Sequence, residues 1–462
     1  MPLDETRVGL SQKDISALSP GDAYQQRQLI AGLIRDALLQ GGLGQKDPNA
    51  PLADIIEPGM TVLVKPNWVF HCNHSGKGME CLITHPVFVE ETLREVLKAK
   101  PGRIIIGDAP IQSAAFHEIA TETWIRRLKE IAAPCTVEVV DFRRCVRYFN
   151  PWKITVVDNQ RPPDSFIPYD LGADSLLEPI SSPAGQFRST CYDHKTLLHA
   201  HQPGTHQYLL TKEMAASDVI INLPKLKCHR KAGLTAALKN LVGINSDKDY
   251  LPHHRRGGSG QRGDCYEGNA PLKRISEFFH DRANSAGNRC AYLAWQKTAS
   301  FFLRLNIAFN NECNIEGAWH GNDTVWRMVL DINRAALYGK ADGTLAATPQ
   351  RTVYSITDAI VAGEKLGPLA PEPVLFGVVT FASSSAFADL LHSALMRFDW
   401  QKIPQVHNAF NDFPYPLVRH APSAIAIHAA GKRLSLAEAV AAYSHAFQPS
   451  QGWEGHIEMK NK

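Results

Sequence analysis

Between residues 60 and 140 short apolar runs alternate with amphipathic segments. Met60 to Lys65, with the apolar run Val62-Leu63-Val64 at its centre, reads as a short strand that stops at the turn Pro66-Asn67. A run of that length with no polar alternation suits a strand buried on both faces. His85-Pro86 then opens a periodic segment, Val87 to Ala99, with the proline in a first helical turn where its missing N–H is not needed. Arg103 to Ile106 repeats the strand signal, a helix is expected near 116–132, and Thr136 to Val140 gives a third strand. This order predicts an α/β fold built on a parallel sheet covered on both faces.

The rest of the chain divides by pattern. Residues 1–57 read as an N-terminal helical extension with a Gly/Pro-rich exit, and 58–270 as the α/β lobe. Within that lobe, 143–210 predicts strands and long loops, Asp218 to Leu223 a further strand, and Leu234 to Val242 a helix. Five glycines in 255–268 predict a mobile loop. Helices dominate a helical insert at 271–345, and 346–462 returns to a smaller C-terminal α/β lobe. There, strands are expected near 352–357, 374–381 and 423–428, with helices near 386–398 and 434–447. The expected molecule is two-lobed, with a ligand crevice between the lobes.

Charge excludes some classes of partner. Lys plus Arg is 49 and Asp plus Glu 46, so the net charge is only +3, too small a field to point to nucleic acid or a membrane surface. The most apolar helical stretch, Cys290 to Phe309, carries Gln296, Lys297 and Arg304, which makes it a poor membrane span. The start MPLDETRVGL lacks the basic and apolar regions of a signal peptide. Nine cysteines, none separated from another by only two residues, argue against a disulfide framework, a zinc ribbon or an iron–sulfur cluster. A cytoplasmic protein with reduced thiols is expected, and assembly into a homo-oligomer is left open.

Against that neutral background, residues 225–256 hold eight basic residues and two acidic ones, a local +6. The cluster follows a buried strand and accompanies an expected helix start, where backbone N–H groups would add to the lysines around a small anionic metabolite. Lys239 sits inside the apolar run LTAALKNLVGI, an unusual place for a lysine that only solvates. A lysine in such a setting can act as nucleophile or base, and a histidine such as His229 can move a proton. The plainer reading is a solvated basic face with His229 capping a turn. Lys65, Asn67 and Asp108 follow adjacent strands, where open α/β sheets form their ligand crevice, although Asn67 and Asp108 are also common turn formers. Lys225, Lys227, Thr235 and Asn240 complete the expected crevice. For a hard divalent cation such as magnesium, bound through oxygen, the candidates are Asp331, Asp358 and Asp389, residues that equally cap helices and hold turns. His199 and His201 would face one side of a strand, with His194 and His206 nearby.

The string DVIINLPKLKCHRKAGLTAALKNLVGI, with VLVKPNW and RIIIGDAP before it, resembles the motifs of the family known as domain of unknown function 362. GAWHGNDTVWRMVLDINR, ITDAIVAGEKLGPL and FADLLHSALMRFDWQKIP resemble its later motifs, so the likeness spans about 58–405. ASSSAFA at 382–388 departs from the Pro-containing run that usually precedes the family's Asp, here Asp389. Some members carry iron–sulfur clusters; this chain lacks the cysteine spacing for one. His229, Ala232-Gly233, Thr235 and Lys239 are also similar in spacing to a segment of nickel-pincer lactate racemases. The resemblance implies a proton-transferring histidine at 229, a cofactor-bearing lysine at 239 and a nickel ligand at His253 or His254. Ala236-Ala237-Leu238 replaces the usual Gly-Gly there, and His85 stands where those enzymes have an arginine. Together these readings imply an isomerase-like enzyme with Lys239, His229 and Lys227 at its centre, or a binding protein for a phosphorylated ligand.

Overall fold

The computed structural model of the chain describes residues 4–149, 154–189, 194–310 and 314–460. Its frame is an 11-stranded sheet. In chain order the strands are β1 (Arg7–Gln12), β2 (Thr61–Pro66), β3 (Arg103–Asp108), β4 (Thr136–Asp141), β5 (Val219–Leu223), β6 (Lys225–His229), β7 (Gly233–Thr235), β8 (Thr352–Leu366), β9 (Ala370–Ala382), β10 (Ala426–Ala429) and β11 (Lys432–Leu434). The spatial order is β11-β10-β1-β9-β8-β5-β2-β3-β4, with β6 pairing β8 and β7 pairing β6. From β8 to β4 every pairing is parallel. The C-terminal strands β8, β9 and β10 thus extend the sheet begun by β2 and β3.

Alternation along each strand sends side chains into two cores. Val62, Val64, Ile104, Ile106, Val219 and Ile221 pack on one face beneath α1 (Arg27–Gln40), α2 (Pro86–Lys98) and α3 (Glu122–Ala132). Leu63, Ile105 and Ile220, one residue out of phase, join the core of the opposite face. The strand and helix expectations for 60–140 agree with these elements to within a few residues. The expected helical extension at 1–57 also holds a strand: β1 lies between β9 and β10, both far away in sequence, so no local hairpin announces it. The helix expected over 234–242 is three pieces: β7, a four-residue helix α4 (Ala237–Asn240) and a 3-10 turn at Leu241–Ile244. An unbroken apolar run carries no helical period that would have revealed those breaks.

Three long helices follow, α5 (Pro271–Asn284), α6 (Arg289–Asn310) and α7 (Val325–Tyr338), and then α8 (Ser385–Leu395). Of these, α8 lies against the sheet and α7 against α4 and the turn that follows it, whereas α5 and α6 pack mainly on each other through stacks such as Phe279 on Trp295 and Phe302. No helix of the described residues is long and apolar enough to cross a membrane. The glycine-rich stretch is folded back on itself by main-chain hydrogen bonds, including Ser259 N to Tyr266 O (3.0 Å) and Cys265 N to Gly257 O (3.0 Å).

Candidate functional site

The site begins at the carboxyl ends of β2 and β3. Lys65 Nζ lies 2.7 Å from Asp108 Oδ1, with side-chain exposures of 0% and 4%. Asp108 Oδ2 also accepts the N–H of Trp68 at 2.6 Å, so the carboxylate fixes the turn after β2 as well as the lysine. Gly243 lies against this ion pair: a Cβ there would stand 1.9 Å from Asp108 Oδ1 and 2.5 Å from Lys65 Nζ. The glycine is needed for close approach. Sequence reasoning passed over it, although a glycine inside the apolar run LVGI was a usable signal.

A chain of amides links these strands to the lysines of β6 and α4. Asn240 donates to Lys65 O (3.1 Å) and to Asn222 Oδ1 (2.7 Å), and accepts from Asn67 Nδ2 (2.9 Å). Asn67 Oδ1 in turn accepts from Lys227 Nζ at 3.0 Å. Lys227 donates a second bond to Leu82 O. Burial holds the Lys227 ammonium down to about 7.

These groups line one side of a cavity of about 370 Å³, within the range of small-metabolite sites. Lys231, Lys239 and Lys248 line it too, and Asp108 faces them. Lys239 has no hydrogen-bond or ion-pair partner among the described residues, and burial with like-charged Lys248, Lys231 and Lys65 lowers it to about 7. Lys248, held down to about 8 chiefly by burial, was part of the sequence's basic cluster but not singled out. Thr235 Oγ1 is buried at the cavity wall with no partner.

Two histidines of opposite tautomer face this cavity. His229 Nδ1 accepts the N–H groups of Lys231 (3.1 Å) and Ala232 (3.2 Å), so it carries no proton. Burial, reinforced by Lys239, keeps the ring neutral, which places the proton on Nε2. His253 is the reverse. Its Nδ1 lies 2.8 Å from Leu251 O, an atom that can only accept, so Nδ1 is protonated. Burial and Lys231 keep this ring neutral too, leaving a lone pair on Nε2. One ring therefore offers the cavity a donor and the other an acceptor.

Other residues marked from the sequence lie elsewhere. Lys225 does not line the cavity. The register of β6 on β8 breaks between Lys225 and Lys227, and Lys225 pairs with Asp358 at 2.6 Å with both side chains 0% exposed. Tyr24 closes this group, donating to Asp358 Oδ1 and accepting from Lys225. Asp331 accepts from Ser175, Leu176 N and Tyr208 and pairs with Arg334 at 2.8 Å. Asp389 takes the N–H groups of Ala237 (2.7 Å) and Leu238 (3.0 Å). The three carboxylates are spread over the protein and engaged with internal partners, so they do not gather as a cation site. Asp389 also takes two N–H groups of α4 that the sequence reading had offered to an anion. His254 turns away from the cavity that His253 lines, as adjacent strand side chains do. His199 is exposed on a helix and does not pair with His201; His201 is buried with its Nδ1 3.4 Å from that of His206.

The turn into Lys239 does not fit a pincer cofactor that leans on the backbone. Ala236, Ala237 and Leu238 are each 0% exposed, and Asp389 holds the two N–H groups there.

The sequence profile described as "Domain of unknown function (DUF362)" matches residues 62–157 and 153–389. A thylakoid-associated protein of Synechocystis sp. is 26% identical over 233 residues, which is 50% of this chain and 50% of that protein. The chain thus spans half the length of that relative. Among solved structures, the lactate racemase apoprotein of Thermoanaerobacterium thermosaccharolyticum aligns at 11% identity and a TM-score of 0.31, covering 78% of this chain and 54% of its own. A Thermotoga maritima protein aligns at 11% and 0.31, covering 79% and 56%. Likenesses this faint carry no argument about activity.

Proposed function

The chain belongs to the family described as domain of unknown function (DUF362), and from that premise we propose that it is an enzyme moving a proton on a small anionic metabolite in the Lys239 cavity. The observation that supports this reading is the pair of neutral histidines of opposite tautomer, His229 and His253, beside an unpartnered Lys239. His253 Nε2 accepts a proton from carbon, and His229 Nε2–H donates a hydrogen bond to the oxygen on which charge develops. Lys239, near half protonated at neutral pH, returns a proton to the opposite face of the same carbon, which is a racemisation, or to the neighbouring carbon, which is an isomerisation, and exchange with solvent then resets both groups. Lys248 and Lys231 hold the substrate's carboxylate or phosphate, and the free hydroxyl of Thr235 takes a substrate oxygen. In this reading His229 is a donor, where the sequence alone suggested a base.

The test is solvent exchange. Small 2-hydroxy and 2-oxo carboxylates and sugar phosphates are incubated with the protein in D2O and followed by proton NMR. Enzyme-dependent loss of a carbon-bound proton signal, abolished by Lys239→Met and His253→Asn, supports the reading. Saturable binding with no exchange of any panel member points instead to a non-catalytic binding protein.

A further inference from the structure

The cavity described above leaves a second buried cluster unused. His254, Cys265 and Glu277 are all buried, and one ligand atom from each lies within 4.8 Å of the others. Among the described residues they form the group of nitrogen, sulfur and oxygen donors that comes together in this way. They line a small cavity of about 10 Å³, about the room that one water or ion needs. His254 Nδ1 is buried there with no hydrogen-bond partner, a state that costs free energy unless something occupies the lone pair or proton.

We propose that His254, Cys265 and Glu277 form a structural site for a divalent transition metal, zinc by preference. A neutral imidazole, a thiolate and a carboxylate are the donor types zinc accepts together. With bonds of about 2.0–2.3 Å, tetrahedral ligands stand about 3.3–3.8 Å apart, so a closure of about 1 Å completes the set. The fourth position is open to water or to His280, which lines the same cavity.

The surroundings suit a staple. Cys265 belongs to the glycine-rich stretch and accepts the N–H of Glu316 at 3.2 Å, as a metal-bound thiolate commonly does. Glu277 belongs to α5 and accepts the N–H of Gly257 at 3.0 and 3.1 Å, which orients its carboxylate. His254 is paired in register with Arg188, whose guanidinium holds Asp281 of α5 at 2.9 Å. One ion would tie this strand pair, the glycine-rich stretch and the helical insert together. Without it, three buried polar side chains share a small cavity in which His254 Nδ1 has no partner. Binding releases the thiol proton and turns that cost into coordination. Eleven residues lie between Cys265 and Glu277, a spacing outside any short metal motif.

The test uses the full chain expressed in zinc-supplemented medium. Elemental analysis after gel filtration should find roughly one zinc per chain. Cobalt added to the chelated protein should give a thiolate-to-cobalt charge-transfer band. Cys265→Ser should abolish that band, and both it and Glu277→Gln should weaken zinc binding by more than the roughly 100-fold that loss of a supporting hydrogen bond can cost. Lys239→Met should keep the metal, which separates this site from the proposed catalytic cavity. If Cys265→Ser does not fold, the cobalt spectrum of the wild-type chain decides. A folded wild-type chain that holds no zinc and gives no thiolate band overturns the proposal, as does zinc binding unchanged in both variants.

Discussion

Asp108 and Gly243 meet edge to edge: the carboxylate that neutralises buried Lys65 occupies the space a Cβ on residue 243 would need. An ion pair so dry keeps its geometry only while both partners and the gap beside them are intact. Asp108→Asn leaves Lys65 charged or deprotonated without its counter-ion and should cost about 3–5 kcal/mol. Gly243→Ala forces the pair apart and should be strongly destabilising as well. Urea unfolding followed by circular dichroism measures both, and a loss below about 1 kcal/mol for either would mean that the pair is not closed as described.

The amide bonds of Ala237 and Leu238 rest on one carboxylate. Asp389→Ala should cost more than an ordinary hydrogen bond, about 1.5–3 kcal/mol for each charged bond lost, and loosen the turn that aims Lys239. Faster hydrogen exchange at those two amides, with the sheet amides unchanged, is the expected local signature.

Lys239 links stability to pH in the direction opposite to an ion-paired lysine, whose folded value is raised. Its folded value of about 7 lies below its unfolded value, so the unfolded chain binds more protons between about 7 and 10.5. The cost of the half-buried ammonium is therefore full below pH 7 and fades as pH rises through that window. Lys239→Met should stabilise the protein at pH 6 and lose that advantage by pH 10. Denaturation curves of the two proteins across this range check the sign. A constant difference would show that Lys239 titrates normally.

An anion in the cavity should offset the repulsion among Lys239, Lys248 and Lys231. Phosphate or a small dicarboxylate at 100 times its dissociation constant should stabilise the chain by about 2.7 kcal/mol. Lys248→Met should weaken that ligand-dependent shift without unfolding the protein, as read from melting temperature against ligand concentration.

Much of this was legible in the sequence, and the losses have physical causes. The parallel run β2, β3, β4 and its helices were plain because buried strands and amphipathic helices leave different periods. Lys65 and Asp108 could be placed at one sheet edge because both end parallel strands. Lys225 was misplaced because strand alternation groups it with Lys227, and the register break against β8 is invisible locally. Asp331, Asp358 and Asp389 looked available because a sequence does not show which buried cation or N–H group a carboxylate will meet. The tautomers of His229 and His253 depend on backbone atoms two residues away, N–H for one and C=O for the other, and only the fold reveals them.

Those tautomers are the centre of the account, and nitrogen-15 NMR of histidine-labelled protein reads them directly. At pH 7 two neutral rings are expected, His229 protonated at Nε2 and His253 at Nδ1, each assigned by its loss in His229→Gln and His253→Asn. The same tautomer in both, or a charged ring in either, would contradict it.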